Sequence, residues 1–144
     1  MQPKNQAFIN GLPDKRMAVA LTKVFDNVLM LPVTVALTAT DATRTVFVAT
    51  HPCKVIAVSE VHSTASSSGT LTLEKCTGTT APGSGSVLLN ATVSLAGTAN
   101  TVLSGLVLTT GVATLAVGDR LSVKIAGTMT SLAGSLVTIM LAPV

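Results

Sequence analysis

Aromatic side chains are almost missing from this chain of 144 residues, which has three Phe and neither Tyr nor Trp. Sites that stack nucleobases or sugars rest on aromatic platforms, so a nucleic-acid reader and a carbohydrate site both lose support. Charge is scarce as well, with nine Lys and Arg, six Asp and Glu, and two His in the whole chain. The resulting net charge of +3 is spread without a patch or run, which is the pattern of a chain poor in acids and not of a polyanion binder. Catalysis needs reactive side chains converging with tuned proton affinities, and this inventory offers few combinations.

Specific motifs are thin in the same way. No GxSxG elbow, HExxH or EF-hand spacing occurs, and from Thr77 to Gly118 not one residue is charged. His51 stands two residues before Cys53, but Pro52 between them and a strand starting at Cys53 make a base–nucleophile pair awkward. Glu60 and His62 fall on one face of a strand, where a hydrogen-bonded polar pair is the expectation and a metal site lacks a third ligand. Gly83-Ser84-Gly85 is superficially like a phosphate loop, yet no Lys follows, and it reads as a turn. Cys53 and Cys76 lack CxxC spacing and are expected as buried free thiols in strands. The expectation is a protein with no enzymatic activity, no cofactor and no metal.

Long hydrophobic runs are missing too, despite a mean hydropathy of +0.65. Ile125 to Val144 carries no charge, but Gly127, Thr128, Thr130, Ser131, Gly134, Ser135 and Thr138 interrupt any apolar helix face. Val28 to Ala39 is too short to span a bilayer and contains Pro32, and the start Met1-Gln-Pro-Lys-Asn-Gln6 has no apolar signal core. A protein made in the cytoplasm with no membrane partner is therefore expected.

What the chain does have is Thr, Val, Leu, Ala, Ser and Gly, a mixture that favours strands and tight turns. Short apolar or alternating runs predict strands at Val33–Ala39, Thr45–Ala49, Cys53–Val61, Thr70–Thr77, Val87–Leu95, Thr101–Leu108, Val112–Ala116, Arg120–Ala126 and Ser135–Leu141. Leu71 and Leu73 alternate with Thr70, Thr72 and Glu74, and Leu121, Val123 and Ile125 alternate with Arg120, Ser122 and Lys124. The expected core is Leu71, Leu73, Val87, Leu89, Leu121, Val123, Ile125, Val137 and Ile139. Strands at this spacing without alternating helices predict an all-β, antiparallel β-sandwich, jelly-roll-like first and immunoglobulin-like second.

Residues 1–32 differ from the sandwich domain at 33–144, because they hold six of the fifteen charged residues. Met17, Leu21, Val24 and Val28 recur at helical spacing after Asp14, a possible N-cap, while Val19, Val24, Phe25 and Val28 also tolerate an extended arm. In either form an apolar face needs cover. Met17, Leu21, Val24, Phe25 and Val28 are the candidate docking residues, with Lys15, Arg16 and Lys23 on the rim.

Four stretches, His51-Pro-Cys-Lys-Val-Ile-Ala-Val-Ser-Glu-Val-His-Ser-Thr-Ala65, Gly78-Thr-Thr-Ala-Pro-Gly-Ser-Gly85, Gly97-Thr-Ala-Asn-Thr-Val102 and Leu115-Ala-Val-Gly-Asp-Arg-Leu-Ser-Val123, resemble small β-sandwich virion proteins of tailed bacteriophages. The resemblance covers Val33 to Val144. It implies a structural virion protein that decorates or cements a phage capsid, seated on the major capsid protein or another virion subunit as a homo-oligomer, usually a trimer. The alternative is a tail or fibre module, or a β-sandwich that binds a host-surface glycan.

Overall fold

The computed structural model describes residues 30–106 and 108–144, and every regular element among them is a strand. In chain order these are β1 (Leu31–Leu37), β2 (Arg44–Val48), β3 (Cys53–Val61), β4 (Thr70–Cys76), β5 (Ser86–Val87), β6 (Val93–Ser94), β7 (Thr114–Leu115), β8 (Arg120–Ala126) and β9 (Ser135–Pro143). They form two antiparallel sheets, one in the order β1-β9-β3-β7 and the other in the order β2-β8-β4-β5, with β6 also on β4. The expected all-β, antiparallel architecture is what the chain adopts.

Period-two alternation explains why the sheets stack. Along β9, Ser135, Val137, Ile139 and Leu141 are buried while Leu136, Thr138, Met140 and Ala142 face the other way. Val137 and Ile139 meet Leu71, Leu73, Leu121 and Val123 of the opposite sheet in one apolar cluster, all of them essentially inaccessible. Each such side chain contributes about 1.5–3 kcal/mol by leaving water.

Seven of the nine expected core residues are buried in the core, an eighth packs against it partly buried, and one faces outward. Val87 is 41% exposed because it pairs with Glu74 and shares that residue's outward parity, and Ile125 is half-buried. Leu88 takes the interior position instead, its amide donating to the Leu73 carbonyl. The expected strand Val87–Leu95 breaks into β5 and β6, and Thr101–Leu108 reduces to single bridges at Leu103 and Leu108. Apolar runs there pack onto the core without forming a ladder.

β3 has a bulge. Val55 pairs with Leu141 but Ala57 pairs with Met140, so Ile56 is an extra residue. An inserted residue inverts the alternation beyond it. Val55 faces inward before the bulge; after it, Val58, Glu60 and then His62 do. A strand of the same length without the bulge would point the acid outward.

Candidate functional site

The docking residues expected before Pro32, namely Lys15, Arg16, Met17, Leu21, Lys23, Val24, Phe25 and Val28, lie outside the described residues. The other candidates are all placed, and most of them turn out to fasten the fold.

Glu60 and His62 form the expected polar pair, deep inside. His62 Nδ1 is 3.2 Å from both Glu60 carboxylate oxygens, and His62 Nε2 is 3.2 Å from the Gly97 carbonyl. Ser135 donates its hydroxyl to Glu60 Oε1 at 2.8 Å. The serine bonds to the carboxylate and not to the imidazole, so this is not a nucleophile–base–acid relay. All three side chains are buried, and they close one end of the core.

The Gly83-Ser84-Gly85 turn holds an anion after all, and the anion is the chain's own. The amides of Gly83 and Gly85 donate to Glu74 Oε2 at 2.9 and 3.2 Å, the arrangement by which backbone nests bind anions. Lys124 Nζ makes an ion-pair contact of 3.3 Å with Glu74 Oε1, without hydrogen-bond alignment, and donates to the Gly83 carbonyl at 2.9 Å. Arg120 donates to the carbonyls of Gly78 and Thr80. The uncharged 77–85 loop is thus pinned across the outer face of the β4–β8 pair, which is why Glu74, Cys76 and Ser122 are buried on a side where the sequence pattern predicts solvent.

The remaining acids among the described residues are engaged too. Asp119 caps the Ala116 amide and lies 3.3 Å from Lys75, and Asp41 bonds the Thr38 amide and pairs with Arg44. Among the described residues no group of three or more His, Cys, Asp or Glu is placed to hold a metal ion, and no helix is long and apolar enough to cross a membrane.

The outer face of the other sheet is of a different kind. The register lines up Pro32, Met140 and Ala57 in one row, Thr34, Thr138 and Ser59 in the next, and Ala36, Leu136 and Val61 in a third. Nine positions on three strands carry no charge, and Leu136 is 40% exposed at one end of the face. The flanking edge of β1 is blunted: Arg44 caps the outward Ala36 carbonyl, and Pro32, at the same parity, lacks an amide proton. The sheet therefore offers a face and not a pairing edge.

At the end of the sandwich opposite Glu60, the strand ends leave an apolar mouth of about 290 Å³ between Leu31, Phe47, Pro52, Cys53, Leu141 and Pro143. Met30, Leu31, Val48 and Val144 are exposed large apolar residues at the strand and chain ends around it. His51 and Cys53 both line this mouth, but His51 contacts the Thr50 hydroxyl, and burial pushes the Cys53 thiol up, away from the thiolate a nucleophile needs. Cys53 and Cys76 are both free, as expected, although only Cys76 is fully buried.

A second cleft, also about 290 Å³, opens on the outer face of the β4–β8 sheet where the chain leaves β4 between β5 and β6. It is lined by Thr70, Thr72, Val87, Asn90, Thr92 and Lys124, and the buried Thr72 hydroxyl has no hydrogen-bond partner among the described residues. Compared with protein-family models, with curated proteins and with solved structures, the chain matches none.

Proposed function

We propose that this chain is a non-enzymatic structural subunit that decorates or cements the capsid of a tailed phage, assembling in the host cytoplasm as a homo-oligomer, with a trimer favoured, on the major capsid protein or another virion subunit. One observation carries the reading: the two outer faces are unlike. One is polar, covered by its own loop and stapled by Glu74, Arg120 and Lys124, while the other presents three uncharged rows, bounded by Lys54 beside Ala142, that the described residues leave uncovered. Depletion of charge is the compositional mark of an interface centre.

The strand orders support a jelly roll. Connections from β1 to β4 pass from sheet to sheet, as do those from β6 to β9, and the first and last strands lie side by side, as in the double-sheet fold used by viral capsid proteins and lectins. The engagement of every described acid in holding loops and strand ends favours a structural role over acid–base chemistry.

The test places a charge at the centre of the bare face. Thr138→Glu should leave the fold and its cooperative unfolding intact while dissociating the oligomer in sedimentation velocity and preventing binding to capsids that lack the protein. An unmodified chain that sediments as a monomer at micromolar concentration, or a T138E chain that assembles and binds normally, overturns the reading.

A host-glycan-binding module is the second reading, favoured by the cleft that sets Thr70, Thr72, Thr92, Asn90 and Lys124 among apolar side chains, its Thr72 hydroxyl unpartnered among the described residues. Glycan-array binding that is lost in Thr72→Val would replace the first reading with this one.

A further inference from the structure

The bare face is too small to hold an assembly by itself. Three strands about 4.8 Å apart and three rows about 7 Å apart span roughly 300 Å², whereas a stable interface takes about 800 Å² from each partner. The mouth continues that face: Pro32, Met140 and Ala142 adjoin Leu31, Leu141 and Pro143, which line it.

Twenty-nine residues precede Met30, and they join the sandwich at the rim of this mouth. β1 runs from Leu31 at the mouth toward Leu37 at the far end, so the residues before Met30 join the sandwich at this rim and not at the Glu60 end. Leu31, which lines the mouth, and its neighbour Met30 are 54% and 41% exposed. The large apolar residues back from there are Leu29, Val28, Phe25, Val24, Leu21, Val19 and Met17. Leu21 and Phe25 precede Met30 by nine and five residues, a reach of roughly 17–30 Å when extended, which is about the width of a domain of this size.

We propose that the mouth lined by Leu31, Phe47, Pro52, Cys53, Leu141 and Pro143 is a receptor for the apolar side chains of the segment Met17–Val28 of a second copy of this chain, with Lys23 and Asp26 left at the rim, so that the subunits are tied by exchanged N-terminal segments. The inference rests on the reading of the chain as a self-assembling subunit and names the contact that holds it together. Charge is compatible: the mouth is lined by apolar residues, Thr50 and His51, and Val24, Phe25 and Val28 bring only apolar side chains.

Cys53 in the lining makes the contact testable in the full-length protein. F25C/C53S chains mixed with unmodified chains, allowed to assemble and mildly oxidised, can form a 25–53 disulfide only between copies; L21C/C53S provides a second position. The expected result is a reducible dimer band with the 25–53 or 21–53 link identified by peptide mass. Cys76 should stay unmodified and thereby report that the fold is intact. A link that forms within single F25C chains at high dilution but never in the mixture makes the occupant the chain's own segment and overturns the proposal. Oligomers that form without either link overturn it while leaving the assembly reading standing, whereas monomers in sedimentation overturn both.

Discussion

Glu60 shows how a single residue can be visible in sequence while its environment is not. The pairing with His62 follows from their i, i+2 spacing on a strand, but Ser135 and the Gly97 carbonyl come from remote chain and leave no local signal. Removing one member of a buried charged or hydrogen-bonded set leaves the rest unpaired. Glu60→Ala is expected to destabilise the fold by about 3 kcal/mol, read as a lowered guanidinium midpoint with an unchanged slope. Cys53 gives a prediction in pH. Its folded-state pKa lies above the unfolded one, so the folded chain keeps a proton that the unfolded chain releases at alkaline pH. Stability should be level below the ordinary thiol pKa and fall as pH rises through it. Thermal unfolding between about pH 7 and about pH 10 should show this decline in the unmodified chain and a shallower one in Cys53→Ala, with no Tyr in the chain to confuse the titration.

At the scale of elements, the strands with clean alternation were legible: β3, β4, β8 and β9 fall within two residues of the runs that predict them. Alternation fails as a guide where something outside the strand decides burial. Val87 reads as core from its apolar neighbours, yet its parity is set by pairing with Glu74, and the outer face of β4 is buried by a loop whose sequence, Thr77 to Gly85, reads only as turns. That loop depends on close approach: a Cβ on Gly85 would stand 2.6 Å from the Lys75 carbonyl oxygen and 2.8 Å from Cys76 Sγ. Gly85→Ala should lift the loop off Glu74, expose Cys76 and make the buried thiol react with a maleimide in the native state. Glu74→Gln, which keeps the shape but removes the anion, should loosen the loop less and leave β4 paired with β8, as hydrogen exchange of the two segments would show.

For the molecule as a whole, the uneven distribution of charge sets its response to salt. Ion pairs here fasten loops within one chain, and the uncharged face and mouth are held by exclusion of water. Assemblies built on those surfaces should survive, and tighten, as salt is raised from about 0.1 M to about 1 M, where pairs of exposed charges would be screened. Sedimentation across that range measures it. Among the described residues, β1 starts at Leu31 and its whole length is paired with β9. A chain lacking residues 1–29 is therefore expected to unfold cooperatively with the same β circular dichroism, and to lose assembly alone.

The bulge at Ile56 bears on how this fold could be altered by a change of length instead of identity. Val55 and Val58 both face inward although they are three residues apart, so β3 keeps step with β9 only because Ile56 is left out of the count. Deleting Ile56 therefore preserves parity: Val55 and Val58 become two residues apart, and Glu60 stays inward opposite Val137. The harmful change is one that flattens the bulge while the residue stays, because strict alternation would turn Ser59 and Val61 inward, swing Glu60 to the water, strand Ser135 and empty the volume under Gly97. That slipped pairing is expected to be poorly populated in the native sequence, because it would abandon all three contacts of the Glu60 set at once. A chain lacking Ile56 should keep a single cooperative transition, whereas one lacking both Ile56 and Ala57, which removes one residue more than the bulge supplies and reverses the side of Glu60, should lose it; equal behaviour of the two would show that the buried acid does not keep β3 and β9 in step.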